Sequence, residues 1–268
     1  MRKSSVLIIT GLFIFLQCAP VPVTGRKQLN LIPQSQILSL SYESYDDFID
    51  SSKVVKGTPD AEMVTEVGRN IQMAVEQYFG ERRNLSHLRG FQWEYNLIQD
   101  TLINAFAMPG GKVAVFTGIL PLTMNEDGLA AVMGHEIAHA VANHGNERMS
   151  QLLLMQLGGM ALSEALSSQP QLTRQLALAA FGVGAQIGVL LPYSRVQEKE
   201  ADQLGMTFMA MAGYKPEAAI AFWERMEKRE GPEIPEFLST HPSDQTRIES
   251  LKEYLPEAMK HYEPGMNK

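Results

Sequence analysis

The sequence predicts an α+β fold, mostly helical, with one small β-sheet. Three observations carry that reading: apolar residues at helical spacing over 58–80, alternating apolar residues between Phe91 and Thr117, and a return to helical spacing from Asn125 onward. Thr58-Pro59-Asp60 is a helix start, and Met63, Val67, Ile71, Val75 and Phe79 then recur on one face until Gly80. Phe91, Trp93, Tyr95 and Leu97 alternate with polar residues. Val113, Val115 and Phe116 follow Pro109-Gly110-Gly111, so strands and a tight turn are expected there. Breaks at Pro170, Pro192, Gly213-Pro216, Gly231-Pro235 and Pro242 cut the remainder into helices. No internal repeat marks a helical solenoid.

Composition narrows the class further. The 268 residues are 45% apolar and 20% charged, which fits a globular chain and excludes disordered or fibrous ones. With 30 acidic against 23 basic residues the net charge is −7, so the surface repels phosphate backbones and no nucleic-acid partner is expected. Cys18 is the sole cysteine, which excludes an intramolecular disulfide, a cysteine zinc finger and an iron–sulfur cluster. Met1-Arg2-Lys3 precedes an apolar run, Val6 to Leu16, in the manner of an export signal. That run is short of the roughly 20 residues of a membrane span; an uncleaved anchor helix is the alternative. Cys18 stands where bacterial lipoproteins are cleaved and acylated, although Leu16 and Gln17 depart from the small residues of that motif. Ala19 in place of Asp points to the outer membrane. Asn84-Leu85-Ser86 fits a glycosylation sequon, which the bacterial export signal makes uninformative.

The chemistry is concentrated in Met133-Gly134-His135-Glu136-Ile137-Ala138-His139-Ala140-Val141. Residues four apart share a helix face, so His135 and His139 can both ligate one metal ion while Glu136 stands beside it. From there the Glu136 carboxylate can act as general base toward a zinc-activated water and pass the proton to the leaving amine. The bland alternative is a solvated helix that carries these residues by chance. Leu129, Ala130, Ala131, Val132, Ile137 and Ala138 argue against it, because a helix apolar on nearly every side is buried and buried histidines need partners. A third protein ligand is required, and Gly145 occupies the place of the third histidine of metzincins. Glu198 and Asp202 share a face of a downstream helix. Glu198 can ligate the metal while Asp202 accepts the second ring N–H of a ligating histidine, with Glu200 pointing away.

On these residues the chain resembles the gluzincin metalloproteases related to the CAAX prenyl protease and to the HtpX- and BepA-type envelope proteases, in the short periplasmic lipoprotein form of the LoiP type. Further signatures occur in family order: Thr24-Gly25-Arg26-Lys27-Gln28-Leu29, Asn104-Ala105-Phe106-Ala107 before Pro109-Gly110-Gly111, Ser194 to Asp202, and His241-Pro242 with Arg247. The resemblance implies a zincin-like domain with one zinc ion per chain and Glu198 as the ligating acid. It implies that Lys112, Val113, Ala114 and Val115 form an edge strand flanking the cleft and pairing with extended substrate, with Asn104 nearby. A strand edge suits recognition of peptide backbone. His241 is implied as either a fourth zinc ligand or a donor to the oxyanion, and Arg247 as a contact to the substrate carbonyl; a cation or N–H donor there is what the hydrolysis needs. His144 also follows the family's helix, and a helix-end or second-sphere histidine is the alternative reading for it.

The expected layout is a signal over 1–18 with cleavage before Cys18 and a single catalytic domain over 19–268. The expected protein is an outer-membrane, periplasmic-facing lipoprotein with unfolded or misassembled envelope polypeptides as substrates. An envelope chaperone or assembly factor with a latent, self-capped zinc site is the competing function, and a purely structural zinc protein a weaker third. Leu176 to Leu191 reads as a buried or lid helix, with a membrane-touching segment as the alternative. Met206, Met209, Met211 and Trp223 read as core packing.

Overall fold

The computed structural model describes residues 18–21, 24–186, 191–229, 235–241 and 245–264. The expected signal before Cys18, Pro242 and the end of the 176–191 run lie outside the described residues. The architecture is mostly helical with a small mixed sheet, as expected, and the chain divides into two compact units. One comprises residues up to Gln34 together with Asn143–Gln197; the other comprises Ser35–Ala142 with Glu198–Lys268.

The second unit holds the sheet and the principal core. Helix α1 (Gln34–Ser51) leads into the two-residue strand β3 (Val54–Val55), and helix α2 (Pro59–Glu81) follows. Helix α2 starts where the sequence places it: the Thr58 hydroxyl accepts from Ala61 N at 3.3 Å, Pro59 opens the helix, and Asp60 and Glu62 complement its N-terminus. Its buried face, Val64, Val67, Ile71, Val75, Tyr78 and Phe79, is the apolar stripe of the sequence displaced by one position at its start. Strands β4 (Glu94–Ile98), β5 (Ala105–Met108) and β6 (Lys112–Phe116) complete a sheet of order β3-β4-β6-β5. β4 pairs with β6 in parallel and β5 pairs with β6 antiparallel, with Ala105 opposite Val115 and Met108 opposite Lys112.

This order corrects the expectation for Lys112 to Val115. They form the inner strand β6, paired on both sides and fully buried along Val113, Ala114 and Val115, so no backbone edge is left for a substrate. Lys112 is tied to Glu94 at 2.8 Å. The edges are the two-residue β3 and, beside β6, β5, the strand just before the glycine turn. That turn needs its glycines: Gly110 and Gly111 have φ of +89° and +86°, and a Cβ on either would fall within 2.6 Å of Tyr42 or Trp93.

Helix α3 (Glu126–Val141) carries the HExxH run. Asn125 caps it by accepting from Gly128 N at 3.0 Å, and all but one of its residues from Gly128 to Val141 are buried. Its chain direction breaks at Asn143, which has a left-handed φ of 58°. Helix α6 (Leu191–Met211) crosses α3 through two glycines. A Cβ on Gly205 would lie 2.8 Å from His135 N, and one on Gly134 would lie 3.0 Å from Gly205 O. Gly205→Ala is therefore expected to destabilise the protein by about 1–3 kcal/mol, because main chain and not a flexible side chain must yield. Denaturant unfolding checks it; an unchanged midpoint would show that the crossing relaxes freely. Met206 and Met209 fill the core beside it and Met211 is buried at its margin, as expected. Helices α7 (Glu217–Glu227), α8 (Glu236–Thr240) and α9 (Gln245–Ala258) finish this unit.

The first unit contains a small hairpin, β1 (Cys18–Pro20) with β2 (Lys27–Leu29), and a hairpin of helices α4 (His144–Ala165) and α5 (Gln171–Ala185). The Thr24-Gly25-Arg26 signature has a structural role here. Arg26 forms a fork to Glu147 at 2.7 and 2.8 Å, Gln197 donates to the same carboxylate at 2.8 Å, and Asn146 donates to Ile32 O. The segment is thus strapped to the start of α4. Of the readings for 176–191, a buried or lid helix or a membrane-touching segment, the buried helix is corrected for the described part: none of residues 176–186 is buried.

Candidate active site

Four donors converge in the second unit. His135 Nε2 lies 3.2 Å from His139 Nε2, 3.1 Å from His241 Nδ1 and 3.3 Å from Glu198 Oε2. Glu198 reaches His139 at 3.4 Å and His241 at 3.0 Å. A tetrahedral set with ligand distances of about 2.0–2.1 Å has edges of roughly 3.3–3.4 Å, so these separations fit one zinc ion. The four residues form the metal-capable cluster found among the described residues.

The electrostatics ask for a cation. Burial opposes a charge on His135, yet the Asp202 and Glu198 carboxylates outweigh it and raise its pKa to about 9. Burial likewise works against ionised Glu198 and Asp202, but the facing histidines hold Glu198, and Arg247 with His135 hold Asp202, below the usual carboxylate range. Glu136 differs. It is 3% exposed, its Oε1 makes no hydrogen bond, and burial pushes its pKa up. His241 Nε2 stands 3.3 Å from that oxygen, an ion-pair contact that lacks hydrogen-bond geometry.

Behind the ligands a second set of contacts fixes their orientation. Asp202 Oδ1 faces His135 Nδ1 at 3.0 Å, which leaves Nε2 for the metal. Arg247 donates through Nε and Nη2 to Asp202 at 2.9 and 2.7 Å and approaches Glu198 at 3.1 Å. Its guanidinium lies 3.5 Å over the Trp223 ring, which in turn stacks on Phe237 at 5.6 Å. In this conformation Arg247 supports the ligand set. His241 follows α8, whose Phe237 N donates to Ile103 O at 3.1 Å and whose Phe237 ring lies 4.9 Å from the imidazole.

The structure therefore brings together His135, Glu136, His139, Glu198, Asp202, His241 and Arg247. Asn104 immediately precedes β5, its carbonyl accepting from Phe116 N. His144 is buried at the start of α4 and Glu200 is buried on α6, and neither is among the four clustered donors. Trp223 and Phe237 were not legible as site residues, since aromatic residues at helical spacing look like core. The glycine pair Gly134 and Gly205 was equally silent, although Gly134 directly precedes His135 in the motif.

A buried HExxH helix, a carboxylate from a second helix and, beside them, a glutamate oxygen without a hydrogen bond define a zinc metalloendopeptidase. The chain belongs to peptidase family M48, whose model matches residues 67–255. It is 34% identical over 250 residues to the mitochondrial metalloendopeptidase OMA1 of Schizosaccharomyces pombe, covering 92% of this chain and 69% of that one. The Homo sapiens mitochondrial metalloendopeptidase OMA1 is 30% identical over 269 residues, and the chain spans about half of its length. A putative beta-barrel assembly-enhancing protease of Vibrio cholerae is 34% identical over 165 residues, 59% of this chain and 33% of that protein.

Proposed function

We propose that this metalloendopeptidase works in the bacterial cell envelope, attached through an acylated Cys18, and hydrolyses misfolded or stalled envelope proteins. The observation that carries the reaction is Glu136: a buried carboxylate, poised to accept a proton, next to four converging donors. Zinc held by His135, His139 and Glu198 would supply Lewis acidity toward water and the scissile carbonyl. Glu136 takes the proton and delivers it to the leaving nitrogen. Asp202 and Arg247 keep His135 and Glu198 aimed, and the edge strand β5 offers its backbone to an extended peptide. An unfolded chain presents such a peptide, whereas a folded one does not.

The envelope setting is supported by the apolar Val6–Leu16 run before Cys18 and by similarity to the Vibrio cholerae protein; the OMA1 relatives are described as mitochondrial. A short LoiP-like lipoprotein fits this combination. Two measurements test it. Palmitate is expected to label the protein in bacterial cells and to be lost with Cys18→Ser, and the purified enzyme is expected to cleave reduced, unfolded lactalbumin but spare its native form. Labelling that survives Cys18→Ser, or equal cleavage of both forms, would overturn the corresponding part.

A second reading rests on His241. Its Nδ1 sits within ligand reach of His135 and Glu198, so the site supports a self-capped, latent enzyme that serves mainly as a chaperone or assembly factor. His241→Ala is expected to raise the cleavage rate several-fold. A fall instead would assign His241 to the oxyanion.

A further inference from the structure

Beyond its own two helices and strand β2, most of the α4–α5 hairpin is left uncovered. From Leu152 to Gln186 not one residue is buried, and only Glu164 and Arg174 are charged. Leu152, Leu153 and Leu154 are 47%, 40% and 38% exposed although successive residues point about 100° apart around a helix. Leu157, Met160, Leu172, Leu176 and Val183 continue the exposed apolar surface along both helices. Soluble surfaces do not present contiguous apolar patches of this kind without an occupant.

We propose that the α4–α5 hairpin beds into one leaflet of a lipid bilayer. A flat protein partner covers one face of a helix, whereas this hairpin is apolar in several directions and needs a surrounding apolar medium. The near absence of charge over 152–186 favours hydrocarbon over a polar protein groove. Among the described residues no helix is long and apolar enough to cross a membrane, and the proposed contact beds the hairpin into the surface of the bilayer. Its tip, Ser167-Ser168-Gln169-Pro170, is polar and stays at headgroup level if the helices lie along the surface. The same unit contains strand β1, which begins at Cys18, one residue (Gln17) beyond the apolar run Val6 to Leu16. On the proposed anchoring at Cys18, both membrane contacts would lie in this one unit. In sequence the hairpin falls between His139 and Glu198, so the ligand set is assembled from chain on either side of it. The inference stands apart from the peptidase reading, since it rests on no residue of the metal site.

The test uses the full chain with Cys18→Ser, which leaves no native thiol, and one new cysteine at a time for an environment-sensitive fluorophore. Leu157→Cys and Leu176→Cys place it on the hairpin; Met73→Cys, 58% exposed on α2, is the control. Retained helix content and zinc binding certify each folded variant. With phosphatidylcholine vesicles, the two hairpin probes are expected to shift to the blue, brighten several-fold and be quenched by spin-labelled acyl chains, with the Met73 probe unmoved. Added phosphatidylglycerol should change this little, because one acid and one base balance within 152–186. Four outcomes would overturn the inference: no shift at the hairpin, an equal shift at Met73, a shift that grows with protein concentration without vesicles, or one produced by unfolded polypeptide alone. The last two assign the surface to a second copy or to substrate.

Discussion

Glu136→Gln is expected to lower kcat by about 10²–10⁴-fold, the range that a positioned acid–base group contributes. The amide keeps the volume and shape of the side chain but cannot take a proton. Glu136 lies outside the set of four converging donors, so zinc content should stay at that of the parent protein. Stability should hold or rise, because the substitution removes a buried carboxylate whose Oε1 has no hydrogen bond. Single-turnover cleavage of an unfolded substrate, with metal analysis on the same sample, separates loss of chemistry from loss of metal. Cleavage at the parent rate would remove Glu136 from the mechanism.

Arg247→Met should have the largest effect on stability. Arg247 is 8% exposed and holds two carboxylates, Asp202 through a two-pronged contact and Glu198 at 3.1 Å. Methionine fills much of the space over Trp223 but takes the guanidinium from both acids, so Asp202 keeps His135 alone and Glu198 keeps only the histidines. Breaking a buried pair in this way costs about 3–5 kcal/mol. Zinc affinity should fall as well, by about 10–100-fold, as is usual when the groups that orient ligands are lost. Excess zinc should restore part of the stability, since a divalent ion again neutralises Glu198. Denaturant midpoints with and without added zinc measure both effects, and a loss below about 1 kcal/mol in zinc-free buffer would show that the carboxylates do not depend on Arg247.

The ligand set was legible because its geometry is local. His135 with His139, and Glu198 with Asp202, are helix neighbours four apart, and the fixed turn of the helix converts spacing into proximity. The sheet was half legible. Alternation identified β4 and β6 as extended, but extension carries no record of which strand lies alongside. β5, Ala105-Phe106-Ala107-Met108, has no alternation to show, and the placing of Lys112 to Val115 at the edge came from the resemblance, with nothing in the spacing to correct it. The α4–α5 hairpin failed differently: an apolar run signals avoidance of water, and a sequence does not distinguish a protein interior from any other dry surrounding. Trp223 packs, as its spacing suggests, yet its partner is the Arg247 guanidinium, a pairing set by chain topology.

The crossing at Gly134 and Gly205 has a consequence for how the ion is held. Backbone rests on backbone there, so the span from His135 to Glu198 is gauged by two main chains, much as a caliper is set by its jaws. Repacking of methyl groups farther out, whether by thermal motion or by neutral drift, has little leverage on that span.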